Sequence, residues 1–215
     1  MTDDPHAGQP VLQRGARPAE ARLAIILVHG RGGAAAEMID LSGQFFDPAV
    51  AYLAPQAAGH TWYPYSFLSP LEQNEPALGS ALNVITTLLA SLEEQGVGAE
   101  RAVLLGFSQG ACLSLEYAAR HPRRYAGIAA LSGGLIGAAI DPRTYAGSLV
   151  GTPVLLGCSD RDAHVPLARV QESARVLEQL GARVDERIYP GMGHTINDDE
   201  LRAVRRMMRG DGAVD

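Results

Sequence analysis

Along the chain, short continuous apolar runs alternate with stretches in which apolar residues recur at helical spacing. Residues 22–30 (RLAIILVHG) are an aliphatic run ending in glycine, the pattern of a strand buried on both faces. Residues 34–45 follow with helical spacing, and 49–56 (AVAYLAPQ) read as a short strand stopped by proline. Residues 57–74 are rich in Gly, Pro and aromatics and hold no sustained period. A helix is predicted over 76–94, with Pro76 near its first turn and Gly96 just past its end. Residues 101–107 (RAVLLGF) predict another buried strand, and 109–121 a helix ended by Pro122. Strands are expected over 125–133 and 152–159, then a helix over 165–180 closed by Gly181. Residues 182–190 (ARVDERIYP) alternate polar and apolar, which suits a strand nearer the sheet edge. The last helix is expected over 197–209 with Asn197 as its N-cap. Residues 10–15 (PVLQRG) add an antiparallel edge strand.

This alternation of β and α predicts an α/β fold, a mostly parallel central sheet with helices on both faces. No internal repeat, low-complexity tract or long linker divides the 215 residues. A single domain over 1–215 is expected, with flexible tails at roughly 1–8 and 210–215. In such sheets functional groups collect at the carboxyl ends of the strands, so the residues just after each apolar run matter most. They are His29, Gly30 and Arg31; then Ser108, Gln109 and Gly110; then Asp160, Arg161 and Asp162; then Gly191, Met192, Gly193 and His194. A serine, an aspartate and a histidine thus end three strands in the chain order of an α/β-hydrolase triad.

The chemistry needs all three. A serine hydroxyl is a poor nucleophile near neutral pH unless a histidine nitrogen takes its proton. A carboxylate must fix the imidazole tautomer and stabilise the imidazolium. In GFSQG, residues 106–110, the chain must turn sharply from strand into helix, and side chains at Gly106 or Gly110 would collide with neighbouring backbone. The pattern alone is a weak signal, but its placement between a buried strand and a helix is a strong one. The bland alternative is a turn serine that satisfies its own backbone. From position alone, Asp160 and Asp162 both compete for the acid.

Composition narrows the partners. Apolar residues make up 47% and charged residues 20%, an ordinary globular balance. A net charge of −6 argues against nucleic acid or an anionic membrane as the main partner. No signal peptide is visible in MTDDPHAGQP, and no stretch approaches the ~18 apolar residues of a membrane helix. Cys112 and Cys158 lack paired spacing and read as small buried hydrophobes of a reduced, cytoplasmic protein. Six histidines without ligand spacing give no metal site, and no cofactor is expected. The expected partner is a small-molecule ester; among assemblies a homodimer is left open.

The stretches GFSQGA, SDRDAHVPL and PGMGHTI resemble the phospholipase/carboxylesterase family of α/β hydrolases, whose relatives include acyl-protein thioesterases. LVHGRGG resembles that family's first turn, and TWYPYSF with EQNEPAL resembles a bacterial carboxylesterase branch. The resemblance covers roughly residues 23–194. It implies hydrolysis of carboxylic or thio esters without metal or organic cofactor. By motif position it implies Ser108 as nucleophile, Asp162 as orienting acid and His194 as base. It also implies an oxyanion hole from the backbone amides of Arg31 and Gln109. Arg31 stands where thioesterases carry an apolar residue, a departure that bears on substrate choice.

The reading is a serine carboxylesterase of small soluble esters acting through an acyl-enzyme. A thioesterase or lysophospholipase with the same triad is the alternative, and a non-catalytic binding protein on the same fold a more distant one. Trp62, Tyr63, Tyr65, Phe67 and Leu68 fall in the long non-periodic segment and are expected to bind substrate. The competing view makes them a small cluster covering the core. His29 is expected to shape the oxyanion loop by a hydrogen bond. His164 lies near Asp162 and reads equally as a site residue or a solvated one; His6, His60 and His121 are given no role.

Overall fold

The computed structural model describes residues 4–210. Strands β1 (Val11–Gly15), β2 (Leu23–Val28), β3 (Val50–Pro55), β4 (Ala102–Phe107), β5 (Gly127–Leu131), β6 (Pro153–Ser159) and β7 (Arg183–Tyr189) form one sheet in the order β1-β3-β2-β4-β5-β6-β7. Only the β1–β3 pairing is antiparallel, among the described residues; the other five are parallel. The expected mostly parallel sheet with an antiparallel edge strand is therefore observed.

Side-chain alternation explains why the central strands read as unbroken apolar runs. Ile25 and Leu27 of β2, Val103 and Leu105 of β4 and Leu155 of β6 point into one core layer. Ala24, Ile26, Val28, Leu104 and Leu156 point into the other. Helices α1 (Ala35–Ser42) and α6 (Asp198–Arg209) close the first layer through Met38, Leu201, Val204 and Met208. A short turn, α2 (Leu71–Asn74), precedes α3 (Ala77–Glu94), which with α4 (Gln109–Arg120) and α5 (Leu167–Gln179) covers the second layer. With both faces covered, no position on β2 or β3 is left for a solvent-facing polar residue. β7 lies at the sheet edge and is only partly buried, which matches its alternating sequence. Asn197 caps α6 as expected, its side chain accepting from the Asp199 and Glu200 amides while Glu200 accepts from the Asn197 amide.

Within the expected loose start, His6 is tied to the body of the protein. His6 is buried; its Nδ1 accepts from the Ala58 amide and its Nε2 donates to the Trp62 carbonyl. An imidazole that bonds two backbone groups of the 58–62 loop fixes His6 against it. Residues 1–3 and 211–215 of the two expected tails lie outside the described residues. The strand order reverses around β2, since β3 lies on one side of it and β4 on the other. That switch point brings the loop after β2 beside the loop after β4 at the carboxyl edge of the sheet.

Candidate active site

Ser108 sits between β4 and α4 with φ 55° and ψ −118°, a left-handed conformation that non-glycine residues rarely adopt. The turn is tolerated because its neighbours are glycines. A Cβ on Gly106 would lie 2.1 Å from the Gly110 carbonyl oxygen, and one on Gly110 would lie 2.1 Å from the Val28 oxygen. The two glycines let the elbow close on itself and let α4 start directly against β2. The Ser108 amide donates to the Leu131 carbonyl, which ties the turn to β5.

The serine hydroxyl meets His194 at 2.8 Å from Nε2, and His194 Nδ1 lies 2.7 Å from Asp162 Oδ2. The carboxylate cannot donate, so the imidazole proton sits on Nδ1 and Nε2 is free to accept from Ser108. The Asp162 side chain is covered from solvent; desolvation pushes its pKa up, but His194 and the amides of His164 and Val165 outweigh that and hold it below the usual carboxylate range. The structure separates the two aspartates that position alone could not. Asp160 is exposed and its Oδ1 accepts instead from the Gly191 amide at 2.7 Å. With Ser159 Oγ, which accepts from the Gly193 amide, it anchors the turn that delivers His194. Gly191 and Gly193 take φ of 68° and 80° in that turn, where a side chain would add strain.

Arg31 follows β2 and Gln109 opens α4, and both line a cavity of about 610 Å³ together with Ser108 and His194. Among the described residues, neither backbone amide is engaged by another group. The Gln109 amide also lies at the N-terminus of a twelve-residue helix, where unpaired N–H groups and the helix dipole favour negative charge. His29 is buried; its Nε2 accepts from the Ala57 amide, so Nδ1 carries the proton and donates to the Gly30 carbonyl at 2.7 Å. Burial lowers its pKa and keeps it neutral. These bonds tie the start of the loop carrying Arg31 to Ala57.

The sequence profile of the phospholipase/carboxylesterase family matches residues 8–209. The chain belongs to this family. A crystal structure of a phospholipase/carboxylesterase from Dyadobacter fermentans DSM 18053 superposes with a TM-score of 0.90 at 43% identity, covering 94% of this chain and 97% of that one. Acyl-protein thioesterase 1 of Gibberella zeae is 34% identical over 122 residues, 54% of this chain and 50% of that protein. Carboxylesterase SOBER1 of Arabidopsis thaliana is 24% identical over 158 residues, 70% of this chain and 67% of that protein. For the first curated relatives the match spans about half of their length, 50% and 52%. The fold is that of the α/β hydrolases.

Within this family fold, the aromatic segment divides into two roles. Tyr63, Tyr65 and Phe67, with Pro64 and Ser66 between them, line the cavity beside Ser108. Trp62 and Leu68, also expected to bind substrate, are not part of that lining. Trp62 is 0% exposed, donates from Nε1 to the His29 carbonyl at 2.9 Å, and packs its ring 4.9 Å from that of His29. An indole pinned by its one donor beneath the loop after β2 is a support, not a wall. Leu68 packs against the core. Trp62→Ala should therefore cost about 3–5 kcal/mol of stability, a fall in Tm on the order of 10 °C. The relative rates over a chain-length series of esters should stay unchanged, and a reshaped series at unchanged Tm would restore Trp62 to the pocket.

Sequence reasoning missed the part of the site that acts through side chains far apart in the chain. The Gln109 carboxamide accepts from the Trp62 amide at 2.9 Å and donates to the Tyr63 carbonyl at 2.8 Å, so the residue after the serine also holds the aromatic loop. Phe107, Cys112 and Val165 complete the cavity wall, and His164 joins it with its ring 4.8 Å from that of His194. Cys112 had a readable signal, since it lies one helical turn beyond Ser108 on the same face. Its buried thiol is pushed up to about 12 by desolvation and is inert wall, not a second nucleophile.

Proposed function

We propose that this chain is a serine carboxylesterase that hydrolyses small carboxylic esters, built as one α/β-hydrolase domain. The observation that carries the reading is the continuous hydrogen-bonded chain from Ser108 through His194 to Asp162, open to a cavity. Ser108 Oγ attacks the ester carbonyl as His194 Nε2 takes its proton. Asp162, held ionised, stabilises the imidazolium on its Nδ1 side. The negative oxygen of the tetrahedral intermediate accepts from the amides of Arg31 and Gln109. Collapse breaks the bond to the alcohol, which leaves with the proton from His194 Nε2, and an acyl group stays on Ser108. Water then attacks the acyl carbon, gives its proton to His194, and the acid departs as Ser108 recovers its hydrogen.

The cavity of about 610 Å³ is the size expected for a small-molecule ligand. A thioester offers the same carbonyl to the same groups, and a thioesterase is among the similar proteins, so both ester types belong in one test. A screen of matched oxoesters and thioesters over increasing acyl length should show turnover of short oxoesters, unchanged by EDTA. No turnover of any oxoester, or loss with EDTA that a divalent ion restores, would sink the reading. Cys112 and Cys158 are free and buried, which supports a reducing, cytoplasmic setting. Among the described residues no helix is long and apolar enough to cross a membrane.

A further inference from the structure

The Arg31 side chain does something its backbone amide does not require. Its guanidinium lies 5.9 Å from the centre of the Tyr63 ring and donates to three oxygens of the aromatic loop. Nη1 reaches Thr61 Oγ1 at 3.0 Å and the Pro64 carbonyl at 2.9 Å, and Nη2 reaches the Tyr65 carbonyl at 2.6 Å. All three partners are neutral. A guanidinium has five N–H donors, so Nε–H and one N–H of Nη2 are left for another acceptor. The side chain is exposed and lines the cavity at Ser108.

The rest of the cavity wall sharpens the contrast. Among the described residues no Asp or Glu lines it, while His164 and His194 stand there with Arg31. Arg31 is therefore the one formally charged side chain on that wall among the described residues, in a protein whose net charge is −6. Three neutral oxygens do not need a full cation to satisfy them. What they do is fix the plane of the guanidinium, which removes most of the ordering cost that a free arginine would meet on binding an anion.

We infer that Arg31 is a specificity residue that receives a carboxylate on the substrate, so that the preferred esters carry an anionic group a few bonds from the scissile carbonyl. This rests on the esterase reading above. The remaining N–H groups meet the carboxylate oxygens in charge-assisted hydrogen bonds. Because the same residue supplies an oxyanion amide, the carboxylate and the reacting carbonyl are presented from one short stretch of chain.

The test compares kcat/KM for two matched pairs. Phenyl butyrate against the phenyl half-ester of succinate puts the charge on the acyl side. Phenyl butyrate against the butyrate ester of 3-hydroxybenzoate puts it on the alcohol side. Each pair is measured on the wild type, Arg31→Gln and Arg31→Lys, with melting temperatures. The intrinsic reactivities of the two esters cancel when the charged-to-neutral ratio is compared between proteins. In at least one pair that ratio should fall about ten-fold in Arg31→Gln. Arg31→Lys should keep part of it, and added salt should erode it in the wild type. Ratios unchanged in both pairs, with a lower Tm for Arg31→Gln, would make the side chain a loop clamp and overturn the inference. Failure of the wild type on every ester, charged or neutral, would instead defeat the esterase reading on which the inference stands.

Discussion

Replacing Ser108 with alanine is expected to lower ester turnover by on the order of 10⁴-fold or more. The size follows from the covalent step. Without Oγ there is no acyl-enzyme, and His194 has only bulk water to activate in a site shaped for a fixed hydroxyl 2.8 Å from Nε2. Under the proposed mechanism the remaining rate would come from the amides of Arg31 and Gln109 and from binding alone. The fold should survive, because alanine relieves no contact that the elbow depends on; the glycines at 106 and 110 permit the turn. Steady-state kinetics beside a melting curve checks this. Turnover near the wild-type level in a folded variant would remove Ser108 from the mechanism.

Asp162→Asn should cost nearly as much, about 10⁴-fold in kcat, with KM little changed. The carboxylate accepts from His194 Nδ1 and from the His164 and Val165 amides. An asparagine keeps the shape but can present an N–H to Nδ1. The imidazole then carries its proton on Nε2, where it can no longer accept from Ser108. Asp160→Asn is the matched control. Its amide oxygen can still accept from the Gly191 amide, so the turn before His194 is kept and the loss should be far smaller. The reverse order of the two effects would show that the acid had been assigned to the wrong aspartate.

The legible parts of this protein are those in which one short stretch of sequence states its own physical demand. The apolar runs of β2 and β4 are buried on both faces, and they read so because no polar residue fits there. GFSQG reads as an elbow because Gly106 and Gly110 are needed where backbone passes backbone. Ser108, Asp162 and His194 could be picked out as candidates because each follows the end of a strand, and parallel strands deliver their ends to one edge.

What was not legible depends on partners distant in the chain. Trp62 and Tyr63 are adjacent aromatics in one irregular stretch, yet one is bound to the His29 carbonyl beneath the loop after β2 and the other lines the cavity. No period in residues 57–74 distinguishes them, because the burial of Trp62 is set by residues 29 and 6. His6 was hidden for the same reason: in an acidic, proline-containing opening nothing signals a side chain that bonds the backbone at Ala58 and Trp62. The second use of Gln109 and the clamp made by Arg31 also join segments dozens of residues apart. Such contacts are specified by the fold that brings them together.

A nucleophilic Ser108 must become covalently modified, and intact-mass spectrometry after treatment with a fluorophosphonate reads this directly. The wild type should gain a single phosphonyl adduct, mapped to Ser108 by peptide analysis, with ester turnover lost in proportion to labelling. Ser108→Ala should gain none, and His194→Ala should label far more slowly because Nε2 no longer takes the hydroxyl proton. An adduct on another residue accompanied by loss of activity, or full turnover by protein labelled at Ser108, would contradict the account.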